Sequence, residues 1–228
     1  MKTTEKHALF FHGAFALLCI IVLLLPIPTP SGWRMFFLVL VYNLSLPIVA
    51  QIWKHDRWMD IFLFVFPVSV LQVFPDWFLS RVLGVLVFPD DGFFKIGTVS
   101  AYMVGLWTIP LFLTIFSATR FAKRYPEANP ISKYAVAGIV SFLIFLFSEE
   151  FMRLIPVWHA QNVSLIGHVA VYVLLPELLL GVFSTFAYFH TEHKPLRTKL
   201  LWAIPTFLVY LGALSWSFLL IEGVNRPL

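Results

Sequence analysis

Apolar residues run along this chain in seven long stretches, separated by short segments rich in proline, charge and turn-forming residues. The stretches are Ala8 to Leu25, Trp33 to Trp53, Trp58 to Val73, Ser100 to Ser117, Ser132 to Leu154, Leu165 to His190 and Lys199 to Ile221. A helix rises about 1.5 Å per residue and a bilayer's hydrocarbon core is about 30 Å thick, so about 20 apolar residues cross it. The third stretch is short, and Pro67 interrupts it. Turn chemistry fills the breaks: Pro26 to Pro30 after the first stretch, Pro126 to Pro130 before the fifth, His193 to Pro195 before the seventh. The pattern predicts an all-α transmembrane protein, a polytopic helical bundle of seven spans, in a single integral membrane domain over residues 1–228. No low-complexity tract or short repeat stands out.

One connection is unusual. The segment from Phe74 to Thr98 contains Val82 to Phe88, an apolar run too short to span. It predicts a helix lying in the interface or re-entering the bilayer on the outer side. Pro89-Asp90-Asp91-Gly92 then forms a turn expected to deliver two carboxylates to the outer surface.

Composition supports the membrane reading. Hydrophobic residues make up 60% of the chain and charged ones 12%, against about 25% charged in soluble domains. The lone Cys19 excludes an intramolecular disulfide and a thiolate-rich zinc site. Eleven of the sixteen lysines and arginines fall in connections on the side of the N-terminus. By the positive-inside rule the N-terminus is cytoplasmic and the C-terminus external. The basic residues thus serve topology and contacts with anionic lipid, and call for no nucleic acid. Lys2 and Lys6 precede the first stretch without a small-x-small cleavage site, which predicts an uncleaved first helix. Trp33, Trp53, Trp58, Trp77, Trp158 and Trp202 lie near stretch ends and read as interfacial anchors.

An ionisable group inside a bilayer costs about 3 kcal/mol on translocon scales, so each one needs an explanation. Glu149 and Glu150 lie toward the outer end of the fifth stretch, and Arg153 follows within helical reach of either. Adjacent helical positions point about 100° apart, so a pair with Arg153 explains one carboxylate and leaves the other for acid–base work. Glu177, after Pro176, sits deepest, in the middle of the sixth stretch. With no basic residue on its face it is expected to hold its proton at neutral pH, the state a general acid needs. Gly181, Ser184 and Tyr188 share that face, and His168 points away unless Pro176 twists the helix. The plain alternative for Glu177 is a hydrogen bond to a neighbouring helix, with Gly181 permitting close approach. A structural ion pair is the plain alternative for the Arg153 cluster.

An outward-opening pocket would be lined by Glu149 and Glu177, with His159, His168, Asp76, Asp90 and Asp91 near its mouth. The expected catalytic residues are therefore Glu177, Glu149, Glu150 and Arg153, and the expected substrate contacts are His168, Ser184, Tyr188, Asp90 and Asp91. Asn43, Gln51, Gln72, Thr206, Tyr210 and Ser217 read as hydrogen-bonding groups between helices. No HExxH, EF-hand, CxxC, P-loop or GxGxxG pattern occurs, so neither a metal nor a cofactor is expected.

Glu149-Glu150-Phe151-Met152-Arg153 resembles the EExxxR motif of the CAAX-protease and bacteriocin-processing membrane family, and Phe186 to His190 is similar to its FxxxH motif. The resemblance implies glutamates and histidines on neighbouring helices that activate water for peptide cleavage. Here the arginine stands one residue closer than in the motif, and no HxxxN follows. In size and isolated acids the chain also looks like the integral-membrane terpenoid cyclases, without sharing a motif. Four functions fit these features: an intramembrane acid–base enzyme acting on an isoprenoid or other lipid-phase substrate, a glutamate-dependent intramembrane protease, a small proton-coupled transporter, or an accessory subunit. The partners expected are membrane lipid and a hydrophobic small molecule.

Overall fold

Among the described residues seven helices are long and apolar enough to cross a bilayer, and the chain forms an all-α, multi-pass membrane bundle. The structure, a computed structural model, describes residues 3–152, 154–155 and 157–223. Two spans open the chain, α1 (Thr3–Leu24) and α2 (Ser31–Ile52). The third is α3 (Asp56–Leu71), prolonged by α4 (Val73–Trp77) and a π-helical turn (Phe78–Val82). Far from being short, this span covers 27 residues. Pro67 sits inside it, because within a packed membrane bundle neighbouring helices can satisfy the backbone group that proline frees.

The segment expected to form an interfacial helix does not. Gly84 takes a left-handed φ of +65°, which ends the helical path, and Leu86–Val87 follow as strand β1. Strands β2 (Lys95–Ile96) and β3 (Val99–Ser100) form a hairpin that turns at Gly97, φ +65°. The chain then re-enters the bundle through α5 (Met103–Leu106) and α6 (Thr108–Arg124). After α7 (Ser132–Met152) come β4 (His159–Ala160) and a second hairpin, β5 (Leu165–Ile166) and β6 (Val169–Ala170). It turns at Gly167, φ +63°. Leu165 therefore belongs to a strand, and the sixth span begins later, as α8 (Val171–Thr191); α9 (Leu196–Ile221) completes the bundle.

The order helix, strand, hairpin, helix occurs twice, a repeat that the sequence reading missed. Lys95-Ile-Gly-Thr-Val-Ser-Ala-Tyr102 matches Leu165-Ile-Gly-His-Val-Ala-Val-Tyr172 in its glycine turn and its tyrosine. The equivalent strands β1 and β4 pair antiparallel, Leu86 with Ala160 and Val87 with His159. Such pairing is what a two-fold relation between the halves produces.

Ion pairs gather at the end of the bundle that holds the N-terminus. Arg57 pairs with Glu192 at 2.8 Å, buried Lys199 with Asp60 at 2.9 Å, and Arg120 with Glu5. The opposite end carries the hairpins. There Asp91, expected at the surface, is buried instead. Its carboxylate accepts from the backbone N–H of Phe93 (3.0 Å), Ser100 Oγ (3.3 Å) and Tyr102 OH (2.8 Å), and so fixes the loop. Helix α8 is central, packed against α7 and α9, whereas α1 packs chiefly against α2.

Candidate functional site

A cavity of about 310 Å³ lies within the bundle toward the hairpin end, a size suited to a small ligand. Most of its wall is apolar, from residues such as Leu38, Leu79, Leu106, Ile144 and Phe145. Three carboxyl groups reach it, from Asp76, Glu149 and Glu177, and no described lysine or arginine lines it.

Each carboxyl is placed by its backbone. Asp76 is on α4 because the third span continues past Val73; its N–H still reaches Gln72 O, at 3.2 Å. Trp107, at the joint between α5 and α6, donates its indole N–H to Asp76 Oδ2 at 3.2 Å. Glu149, in the last turn of α7, receives the indole N–H of Trp158 at Oε1, 3.0 Å. Each half of the repeat thus presents a carboxyl near the end of its outgoing helix held by an indole, although Trp107 follows its hairpin and Trp158 precedes β4 and the second hairpin.

Glu177 is different. It sits one residue after Pro176 on α8, is 3% exposed, and its Oε2 has no hydrogen-bond partner among the described residues. Its backbone carbonyl accepts from Ser141 Oγ at 2.8 Å, which locks α8 against α7 and fixes the register of the side chain. Gly181, one turn on, makes this contact possible: a Cβ there would stand 2.2 Å from Ser141 Cβ. Tyr172, Tyr210 and Ser148 add to the polar lining, with the Tyr210 and Trp107 rings 5.5 Å apart.

The other expected site residues go elsewhere. Glu150 turns away to the second hairpin, where it accepts from His168 N–H at 2.9 Å and faces His168 Nδ1 at 3.2 Å. Glu150 and His168 therefore brace a turn and are absent from the cavity wall. Ser184 is buried and bonds back to the carbonyls of Leu180 and Gly181. Tyr188 packs toward the opposite end, its ring 5.8 Å from Lys199 Nζ. Asp90 and His159 are exposed, and Asp91 serves the loop. Arg153 lies outside the described residues. Among the described residues no group of three or more His, Cys, Asp or Glu is placed to hold a metal ion.

Sequence reading put Asp76 at the pocket mouth and left Trp107 unremarked. A signal was available: proline is tolerated in the first turn of a helix, so Gln72-Val-Phe-Pro75-Asp76 need not end the span. Trp158 read as an interfacial anchor, yet its indole N–H is committed to Glu149.

Neither a curated protein nor a solved structure matches the chain. One family model does, over residues 73–221, a stretch that includes Asp76, Trp107, Glu149, Trp158, Glu177 and Tyr210 and leaves out α1, α2 and α3. The chain belongs to that family, described as a domain of unknown function (DUF6989).

Proposed function

We propose that this protein is an intramembrane enzyme that performs acid–base chemistry on a lipid-phase substrate, an isoprenoid or other hydrocarbon-rich molecule, in the cavity between its helices. One observation carries the reading: Glu177 ends in an apolar cavity with an oxygen, Oε2, that no described protein group uses. A buried polar atom left unpaired costs about 1–3 kcal/mol, so a position occupied this way asks for a ligand or a reaction.

The roles divide by their partners. Asp76 and Glu149 each take an indole N–H, the arrangement suited to holding a carboxylate in fixed orientation. Glu177 takes none at Oε2 and acts as the acid that delivers a proton to the substrate. Asp76 or Glu149 then receives a proton from the product-forming species, and the faces of Trp107, Phe145 and Tyr210 favour positive charge developing between them. Glu150 and His168 lie outside this scheme.

The test uses purified protein in detergent with a membrane lipid extract. Glu177→Gln keeps size and removes the titratable proton; turnover should fall by about 10²-fold or more while the melting temperature holds. Full turnover in that variant would remove Glu177 from the reaction. A carrier using the same carboxyls would instead give Glu177-dependent flux in vesicles, with no covalent change in the solute.

The charge asymmetry orients the bundle: the end carrying the N-terminus faces the cytoplasm and the hairpins face outward. Reporter fusions after Arg124 should read cytoplasmic and fusions after Val163 external. Both reading on one side would overturn this topology.

A further inference from the structure

The cavity has two unlike walls. Its hairpin end is capped by Leu86, Phe88, Ala160 and Ala170. These sit on segments knitted together by hydrogen bonds. β1 pairs with β4, the Gln161 N–H donates to Val85 O and its side-chain amide to Gly84 O, both at 2.9 Å. Lys95 Nζ donates to Phe88 O at 2.6 Å, and Tyr102 OH joins Asp91 to Val157 O. The flank is another matter. It is covered by α1, whose Phe15, Cys19 and Leu23, spaced one turn apart, line the cavity while Leu17, Ile20 and Leu24 are exposed on the opposite face.

Polar ties hold α1 along its N-terminal half, as far as His12, and again at its hairpin end. Toward the N-terminus they are Glu5 with Arg120, His7 Nδ1 with His55 Nε2 at 3.0 Å, and His12 Nε2 with Tyr42 OH at 3.2 Å. Toward the hairpin end, Arg34 donates to Leu23 O at 3.2 Å and Val22 O at 3.4 Å. Between these ties α1 meets the cavity through apolar side chains. In a bilayer such contacts separate cheaply, because lipid hydrocarbon replaces protein hydrocarbon, whereas opening the cap would strand hydrogen-bonding groups.

We propose that the cavity is loaded sideways from the hydrocarbon core, past the stretch of α1 between His12 and Val22, and that its occupant is a neutral, hydrocarbon-rich molecule dissolved in the membrane. The proposal rests on reading the cavity as the site of a lipid-phase substrate, and it names the route. Helix α1 is the movable wall, tethered on both sides of that stretch, and the β1–β4 ribbon is the fixed one.

Cys19, the single cysteine of the chain, is a built-in reporter on that wall. The full-length protein in phosphatidylcholine vesicles is treated with a lipophilic N-alkyl maleimide or with a sulfonated, membrane-impermeant one. The lipophilic reagent should modify Cys19 about tenfold faster, and farnesol added as an isoprenoid probe should slow it. Arg34→Ala, which unties one end of α1, should raise the lipophilic rate severalfold. Gln161→Ala, which loosens the cap, should leave it unchanged. The proposal is overturned if Gln161→Ala opens Cys19 to the sulfonated reagent, if Arg34→Ala with an unchanged melting temperature leaves the rate alone, or if farnesol gives no protection. Thiol accessibility is read here and turnover is not. An active Glu177→Gln variant would therefore end the acid–base reading without touching this result, and the reverse also holds.

Discussion

The half of the bundle built from α3 to α6 and the half built from α7 and α8 each bring a carboxyl to the cavity and hold it with an indole, Asp76 with Trp107 and Glu149 with Trp158. They part company on the returning helix. The first half reads Ile109-Pro110-Leu111, the second Leu175-Pro176-Glu177. One proline is thus followed by a fully buried leucine, the other by a carboxyl whose Oε2 has no partner among the described residues. The short helix α5 lies ahead of the proline in the first half and has no counterpart in the second. The comparison teaches that a helix returning from a hairpin in this fold can follow its proline with plain hydrocarbon. Glu177 is a departure from that pattern, and its cost in burial is not explained by packing.

The largest expected effect comes from making the second half like the first. Glu177→Leu should lower turnover by about 10²-fold or more, since hydrocarbon cannot transfer a proton. Its melting temperature should hold or rise, because a buried group without a partner at Oε2 among the described residues is replaced by an apolar one. Activity surviving in Glu177→Leu would make the two halves chemically equivalent and end the distinction.

Next comes the helix contact that sets the depth of Glu177. Gly181→Ala would push a methyl into Ser141 and within 2.9 Å of Ala137 O, at a cost of about 1–3 kcal/mol in thermal or denaturant unfolding. An unchanged unfolding midpoint would mean that α7 and α8 are free to slide apart.

The two indole–carboxyl pairs allow a matched test. Trp107→Phe and Trp158→Phe each remove a donor and leave a carboxyl oxygen unpaired, a loss of about 1–3 kcal/mol for a fully buried group. The loss should be larger for Trp107, because Asp76 is 3% exposed while Glu149 is only partly buried. The reverse order, measured by unfolding, would show that the second half carries the more closed pocket.

The smallest effects belong to the hairpin turns. Alanine at Gly97 or Gly167 is strained by the positive φ, at about 1–2 kcal/mol. Gly167→Ala should be the worse of the two, since its Cβ would also meet Glu150 Oε2 at 2.8 Å, against 3.3 Å to Trp77 Cδ1 from Gly97. Equal losses would mean that the Glu150 brace on the second hairpin yields freely.

Much of the bundle was legible in the residues. Long apolar stretches fix helices wherever lipid is the solvent, because a backbone without water must bond within its own segment. Errors came where that rule loosens. Leu86–Val87 and Leu165–Ile166 are apolar yet form strands, because Gly84, Gly97 and Gly167 turn the chain and β1 finds a partner some seventy positions away in β4. Pro67 read as an interruption and the third stretch as ending at Val73, yet Pro67 and Pro75 are both compatible with one long span.

The candidate site divides in the same way. Position and hydrophobicity alone singled out Glu149, Glu150 and Glu177 as costly groups in apolar surroundings, and Glu149 and Glu177 line the cavity while Glu150 does not. Sequence also determined the seven spans, since length and apolar content decide whether a helix suits a bilayer. Tertiary structure decided which carboxyls meet. A turn of about 100° separates Glu149 from Glu150, and only the packing of α7 against α8 and the second hairpin sends one to the cavity and the other to His168. Asp76 joined them through Trp107, far along the chain, while Asp91 left for the loop through the nearby Phe93, Ser100 and Tyr102. Local periodicity sets which face a side chain occupies; what lies opposite that face is a property of the assembled bundle.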